Sequence, residues 1–139
     1  VPAGVTLLGP LRKEDPEEFV RLLAAYRDAD VFCLPTRYEP LGIVVIEAMY
    51  AGLPCVTSDT WAMPEMVTHG ETGFIAPVDN VEAFAARLLS LLQDPSSATA
   101  MGVAARTRAL ERFSWRASAA TMHATIARTI SRIAVSEAV

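Results

Sequence analysis

The chain has 139 residues, 12 Lys and Arg against 16 Asp and Glu, and two Cys. That is the length of about one domain, and a net charge of −4 lacks the basic surplus of a nucleic-acid binder and any acidic block. Apolar residues at 52% exclude a disordered composition, and the longest apolar run, Leu41 to Val56, is interrupted by Glu47 and broken by Gly42, Gly52 and Pro54, well short of the roughly 20 clean residues of a membrane span.

No segment reads as a signal peptide, and the opening on Val1 without a Met is expected of a piece of something longer. Two cysteines make no disulfide framework; Cys33 and Cys55 sit in apolar runs and are expected as reduced core thiols. Val5 to Leu8, followed by Gly9-Pro10, reads as a short strand and turn. Pro16-Glu17-Glu18 opens a helix, since proline and acids suit a first turn. Its core face is expected at Phe19, Leu22, Leu23 and Tyr26. Val31 to Leu34 is a second strand, stopped by Pro35.

Ile43-Val44-Val45-Ile46 is β-branched and locally strand-like. The run nevertheless continues to Ala51 and stops at Gly52, a helix length with a helix stop, so a buried helix is expected. Pro54 to Thr57 and Gly73 to Ala76 are further strands, with a short helical turn at Pro64-Glu65 between them. From Asp79 the pattern is helical. Val81, Phe84, Ala85, Leu88, Leu89 and Leu92 form a stripe, Asp94-Pro95 breaks it, and a second helix should cover roughly 97–112. Ser114 then caps a last helix with the stripe Trp115, Ala119, Met122, Ile126, Ile130 and Ile133. Short continuous strands alternating with helices indicate an α/β fold whose parallel sheet is buried on both faces.

The segment from Thr36 to Met49 carries chemistry. It follows a strand and opens a helix, and in open α/β sheets ligands bind at the carboxyl ends of strands. A helix N-terminus there offers free amides and partial positive charge, an anion site, and Gly42 would let a phosphate approach the backbone. Glu47 lies about 7 Å further along the helix axis. Inside an apolar helix its carboxylate needs a donor. Ribose hydroxyls beside a bound diphosphate would supply one; a backbone amide or buried Arg would serve for structure alone. Glu39, ahead of Pro40, is held extended and points into the crevice, or is a solvated loop acid. Glu39 and Glu47 as a hydrolase pair, which needs about 5–9.5 Å across a sugar bond, fits poorly because Glu47 stands within an apolar helix. His69 and His123 read as bland, and no His or Cys spacing suits zinc.

Glu39-Pro40-Leu41-Gly42 through Glu47-Ala48-Met49 resembles the E-x7-E signature of the family-4, or group 1, retaining glycosyltransferases. Ala29 to Pro35 is similar to the strand before that signature, and Ala51-Gly52-Leu53-Pro54-Cys55-Val56-Thr57-Ser58 to the segment after it. Pro64-Glu65-Met66-Val67, Gly70 to Phe74 and Phe113-Ser114-Trp115 resemble later landmarks in the same order. The E-x7-E spacing alone is a weak signal; the ordered set is strong.

The resemblance implies a Rossmann-like, three-layer domain, the donor-binding half of a two-domain GT-B enzyme. Residues 1–139 would form one partial domain, with the site in 1–78 and helical packing in 79–139. It further implies transfer of a sugar, with retention, from a nucleotide diphosphate-sugar to an acceptor hydroxyl without metal or other cofactor. Glu47 would hold the ribose and Glu39, the catalytic carboxylate, the transferred sugar. Backbone around Leu41, Gly42 and Ile43 would meet donor sugar and phosphate. The family usually has two glycines where Trp61 and Ala62 stand here, so these two form a possible sugar pocket. Trp61 is read as capping the core, with stacking on a sugar or base as the other reading. The family's domain also begins with two more strands and a basic pair; Arg12, Lys13 and Arg37 do not stand in those places, and Arg12 and Lys13 read as loop surface. Expected partners are the nucleotide-sugar, an unknown acceptor and the missing N-terminal domain, with no nucleic acid. Open strand edges would be met by pairing Val5–Leu8 beside Val31–Leu34 or by self-association. The last helix is expected to show a bare face. A cytoplasmic location follows, peripheral at a membrane if the acceptor is a lipid. A non-catalytic nucleotide-sugar binding module is the alternative.

Overall fold

The computed structural model describes residues 1–136; residues 137–139 of the expected helical segment lie outside it. The element order is α1 (Pro16–Arg27), β1 (Phe32–Leu34), α2 (Ile43–Tyr50), β2 (Cys55–Ser58), α3 (Met63–Met66), β3 (Gly73–Ala76), α4 (Val81–Gln93), α5 (Pro95–Arg112) and α6 (Trp115–Ser136). The strands form a parallel sheet in the order β1-β2-β3, with Phe32 opposite Cys55 and Cys55 opposite Gly73. Helix starts follow local chemistry. Asp15 accepts from the amides of Glu17 and Glu18 ahead of Pro16, and Asn80, Asp94 and Ser114 cap α4, α5 and α6 in the same manner.

Neighbouring residues of a strand point to opposite faces, so Cys55 and Val56 seed two cores. Cys55 joins Val45, Ala48 and Met49 of α2, Met63 and Met66 of α3, and Ala105 and Ala109 of α5. Val56 packs with Leu91 of α4 and Ala98 of α5. Helix α5 thus reaches both clusters. It crosses close to the entry of β2 at Gly102, where a Cβ would stand 2.0 Å from the Gly52 carbonyl oxygen. The β-branched run at Ile43 is helical because burial on that face, with Val45 and Met49 fully enclosed, outweighs local strand preference.

Several expectations are corrected. Val5–Leu8 is not a strand but exposed irregular chain, and it does not pair with β1. A strand has no stability without ladder partners, and Val5–Leu8 makes none. No residue of α1 is buried; Phe19 and Leu23 are exposed and, with Leu22 and Tyr26, line an open groove beside α2. In α4 the buried residue is Leu91, which the expected stripe omits, while Val81, Leu89 and Leu92 are exposed. The helix turns Phe84, Leu88 and Leu91 to the sheet, an i, i+4, i+7 set within a wider apolar arc. Cys55 is buried as expected, and burial pushes its thiol up to about 12. Cys33 is exposed, because β1 is an edge strand. The stripe of α6 is bare, as expected, with Trp115 92% exposed. No helix among the described residues is long and apolar enough to cross a membrane.

Candidate functional site

The turn between β1 and α2 stands at the carboxyl end of the sheet, and Gly42 makes it possible. Gly42 is the N-cap of α2 in the left-handed region, φ 69°, where a side chain is strained. A Cβ there would also stand 2.5 Å from Met63 Cε and 3.4 Å from Glu39 Cγ. The glycine therefore serves the turn and the seat of α3. Its amide is occupied, donating to Glu39 Oε1 at 2.9 Å. Glu39 is a partly buried residue that holds the turn shut, not a solvated loop acid. Val45 N donates to the Gly42 carbonyl at 2.9 Å. Among the described hydrogen bonds the amides of Ile43 and Val44, the first two of the helix, have no acceptor. Leu41 and Ile43 themselves are exposed.

One turn along α2, Glu47 is not enclosed by the apolar helix. Its side chain keeps 28% of its exposure and faces the groove between α1 and α2. Oε1 accepts from the Lys13 ammonium and Oε2 from the Tyr26 hydroxyl at 3.1 Å. The partners are thus Lys13 and Tyr26, not a backbone amide or a buried Arg. Lys13 is accordingly more than loop surface. Lys13 and Tyr26 were missed because they stand 34 and 21 residues from Glu47; a Lys before an acidic first turn gives no local sign of a distant partner. Tyr26 holds its proton tightly: burial first, then the Glu47 charge and hydrogen bond, push it up to about 12. The groove is about 620 Å³, lined by Phe19, Leu22, Leu23 and Tyr50 around that polar centre.

Trp61 does not cap the core. It is 58% exposed and meets Tyr38, 68% exposed, edge to face at 4.8 Å between centroids. Its φ of 49° is left-handed. Ala62, half-buried, is the N-cap of α3. A second hollow, about 430 Å³, opens at the carboxyl ends of all three strands between Thr36, Ser58, Asn80 and Phe84. Across it the Arg37 Nε donates to Asp79 Oδ1 at 2.5 Å. His69 accepts from the Ile75 amide through Nδ1, a structural role. Among the described residues no cluster of three His, Cys, Asp or Glu side chains could hold a metal.

Comparison with known proteins matches residues 2–108 to the model of the family described as glycosyl transferases group 1. The chain is 46% identical over 93 residues to an alpha-maltose-1-phosphate synthase of Mycolicibacterium smegmatis, covering 63% of this chain and 24% of that protein. It is 37% identical over 119 residues to an MMP alpha-(1->4)-mannosyltransferase of Mycolicibacterium hassiacum, covering 85% of this chain and 28% of that one. Among solved structures, sucrose-phosphate synthase from Thermosynechococcus elongatus superposes with a TM-score of 0.70 at 31% identity, over 83% of this chain and 28% of that chain. Anabaena Alr3699/HepE in complex with UDP-glucose gives 0.64 at 27% identity, over 83% and 30%. The chain thus spans about a quarter of the length of the relatives it matches.

Proposed function

The chain belongs to the group 1 glycosyl transferases, and from that premise we propose that it supplies donor-binding structure to a longer enzyme. That enzyme would transfer a sugar, with anomeric retention, from a nucleotide diphosphate-sugar to an acceptor hydroxyl. The observation that carries the reading is the start of α2: two amides without acceptors at the carboxyl end of the sheet, followed one turn later by a carboxylate that accepts on both oxygens.

In this reading the donor diphosphate lies on the amides of Ile43 and Val44, where the helix dipole favours negative charge. The ribose diol offers two hydroxyl donors to the two oxygens of Glu47, in place of Tyr26 and Lys13. The released Lys13 ammonium stays near the diphosphate. Glu39, with one oxygen fixed by the Gly42 amide, turns the other toward the transferred sugar, and the Leu41 backbone borders it. During transfer the anomeric C–O bond to the diphosphate breaks and a C–O bond to the acceptor oxygen forms. The diphosphate leaves with the bonding pair, and its departing oxygen takes the proton that the acceptor hydroxyl gives up. Amides already aimed at that oxyanion need no reorganisation as its charge grows. No step calls for a metal. The Alr3699/HepE structure with UDP-glucose supports a uridine donor class as the first to try.

Calorimetric titration of this chain with UDP, GDP and ADP tests the reading. One nucleotide should bind, and Glu47→Gln should weaken it about tenfold or more, since a hydrogen bond to a charged group is worth about 1.5–3 kcal/mol. Equal affinity in the variant would remove Glu47 from the site.

A further inference from the structure

We propose that Trp61 and Tyr38 form a corner that binds the apolar face of a pyranose ring, belonging either to the donor or to a sugar acceptor. Single exposed apolar residues on a protein surface need no explanation. Here two large aromatic side chains, each more than half exposed, touch one another from different loops. Tyr38 follows β1 and Trp61 follows β2, so the pair bridges the carboxyl ends of adjacent parallel strands.

Both residues are tied to the α2 turn. Tyr38 directly precedes Glu39, whose carboxylate binds the Gly42 amide. Met63, two residues after Trp61, occupies the space above Gly42. Trp61 holds a left-handed backbone that a bulky side chain rarely adopts. Such conformations persist where the surroundings impose them, and they gather at ligand clamps. The two ring planes meet at 75°. A flat sugar ring can lie with its C–H bonds on one electron-rich aromatic face while its rim meets the other ring. The free oxygen of Glu39, the next residue, can accept a sugar hydroxyl. The location of the corner rests on reading the α2 turn as a donor site; the pairing of the rings does not.

The chain has two tryptophans, and Trp115 is almost fully exposed on the bare face of α6. In a Trp115→Phe background Trp61 is the sole indole emitter. Titration with UDP, UDP-glucose and maltose, followed by indole emission and by calorimetry, reads the corner directly. A saturable blue shift or quench with UDP-glucose beyond that with UDP assigns the corner to the donor sugar. The same signal with maltose assigns it to an acceptor sugar. Trp61→Gly suits the left-handed backbone and should keep or raise the melting temperature. It should lower affinity for the pyranose-bearing ligand at least fivefold while leaving UDP affinity within twofold, and Trp61→Phe should restore part of the loss. Nucleotide binding with no sugar response at Trp61, or with sugar affinity unchanged in Trp61→Gly, overturns the corner and leaves the donor site standing. A maltose response without nucleotide binding upholds the corner and removes the donor site. No response to any ligand overturns both.

Discussion

Tyr26 gives the candidate site a pH signature. Its free value near 10 rises to about 12 in the folded chain. Below pH 10 folded and unfolded chains both keep the phenol proton, so the contribution is fully present. Between about 10 and 12 only the folded chain keeps it, and stability falls as pH rises. The Cys55 thiol, also raised to about 12, adds a fall in the same direction that begins nearer pH 9. Tyr26→Phe should therefore flatten, without abolishing, the loss of melting temperature over that range; identical slopes would show that folding does not raise the Tyr26 pKa. At Gly42 an alanine meets both a left-handed backbone and Met63 Cε. The Met end can shift, so the backbone dominates and Gly42→Ala should cost about 1–2 kcal/mol, read by chemical denaturation.

At the scale of elements, helix rotation and helix approach are both open to measurement. Leu91 is 2% exposed and Leu92 51%. Leu91→Ala should cost about 2–5 kcal/mol, and Leu92→Ala within about 0.5 kcal/mol. The reverse order would put α4 in the register that its full apolar stripe suggests. Elements that carry their own stop signals were legible in the amino-acid order. Gly52 ended α2, Asp94-Pro95 separated α4 from α5, and the apolar runs at Cys55 and Gly73 had turn residues on both sides. What depends on a distant partner was not. Val5–Leu8 has strand composition but nothing to pair with, and of the α1 stripe Tyr26 packs against the core while Phe19 and Leu23 stay exposed. Glu39 and Glu47 were singled out from their place around a helix start and from the E-x7-E resemblance. The ion pair to Lys13, the phenol of Tyr26 and the outward turn of Trp61 are tertiary facts with no local spacing.

For the whole molecule, the core is a double one on a small sheet: Cys55 on one face, Val56 on the other, and α5 spanning the two. No described residue of α6 is buried. A chain ended after Ser114 should melt within a few degrees of the full chain, whereas loss of α5 should abolish cooperative melting, because Ala98, Ala105 and Ala109 belong to the two cores. The proposed donor site sits where these cores leave the carboxyl end of the sheet open, and its central element is the start of α2.

The most direct measurement is an amide chemical-shift titration of the isotope-labelled chain with UDP. Diphosphate on the helix start should give its largest shifts at Ile43 and Val44, with smaller ones at Glu47 and Lys13. Shifts centred instead on Arg37 and Asp79, at the other hollow, would contradict the account, as would saturating UDP that leaves the first amides of α2 unmoved.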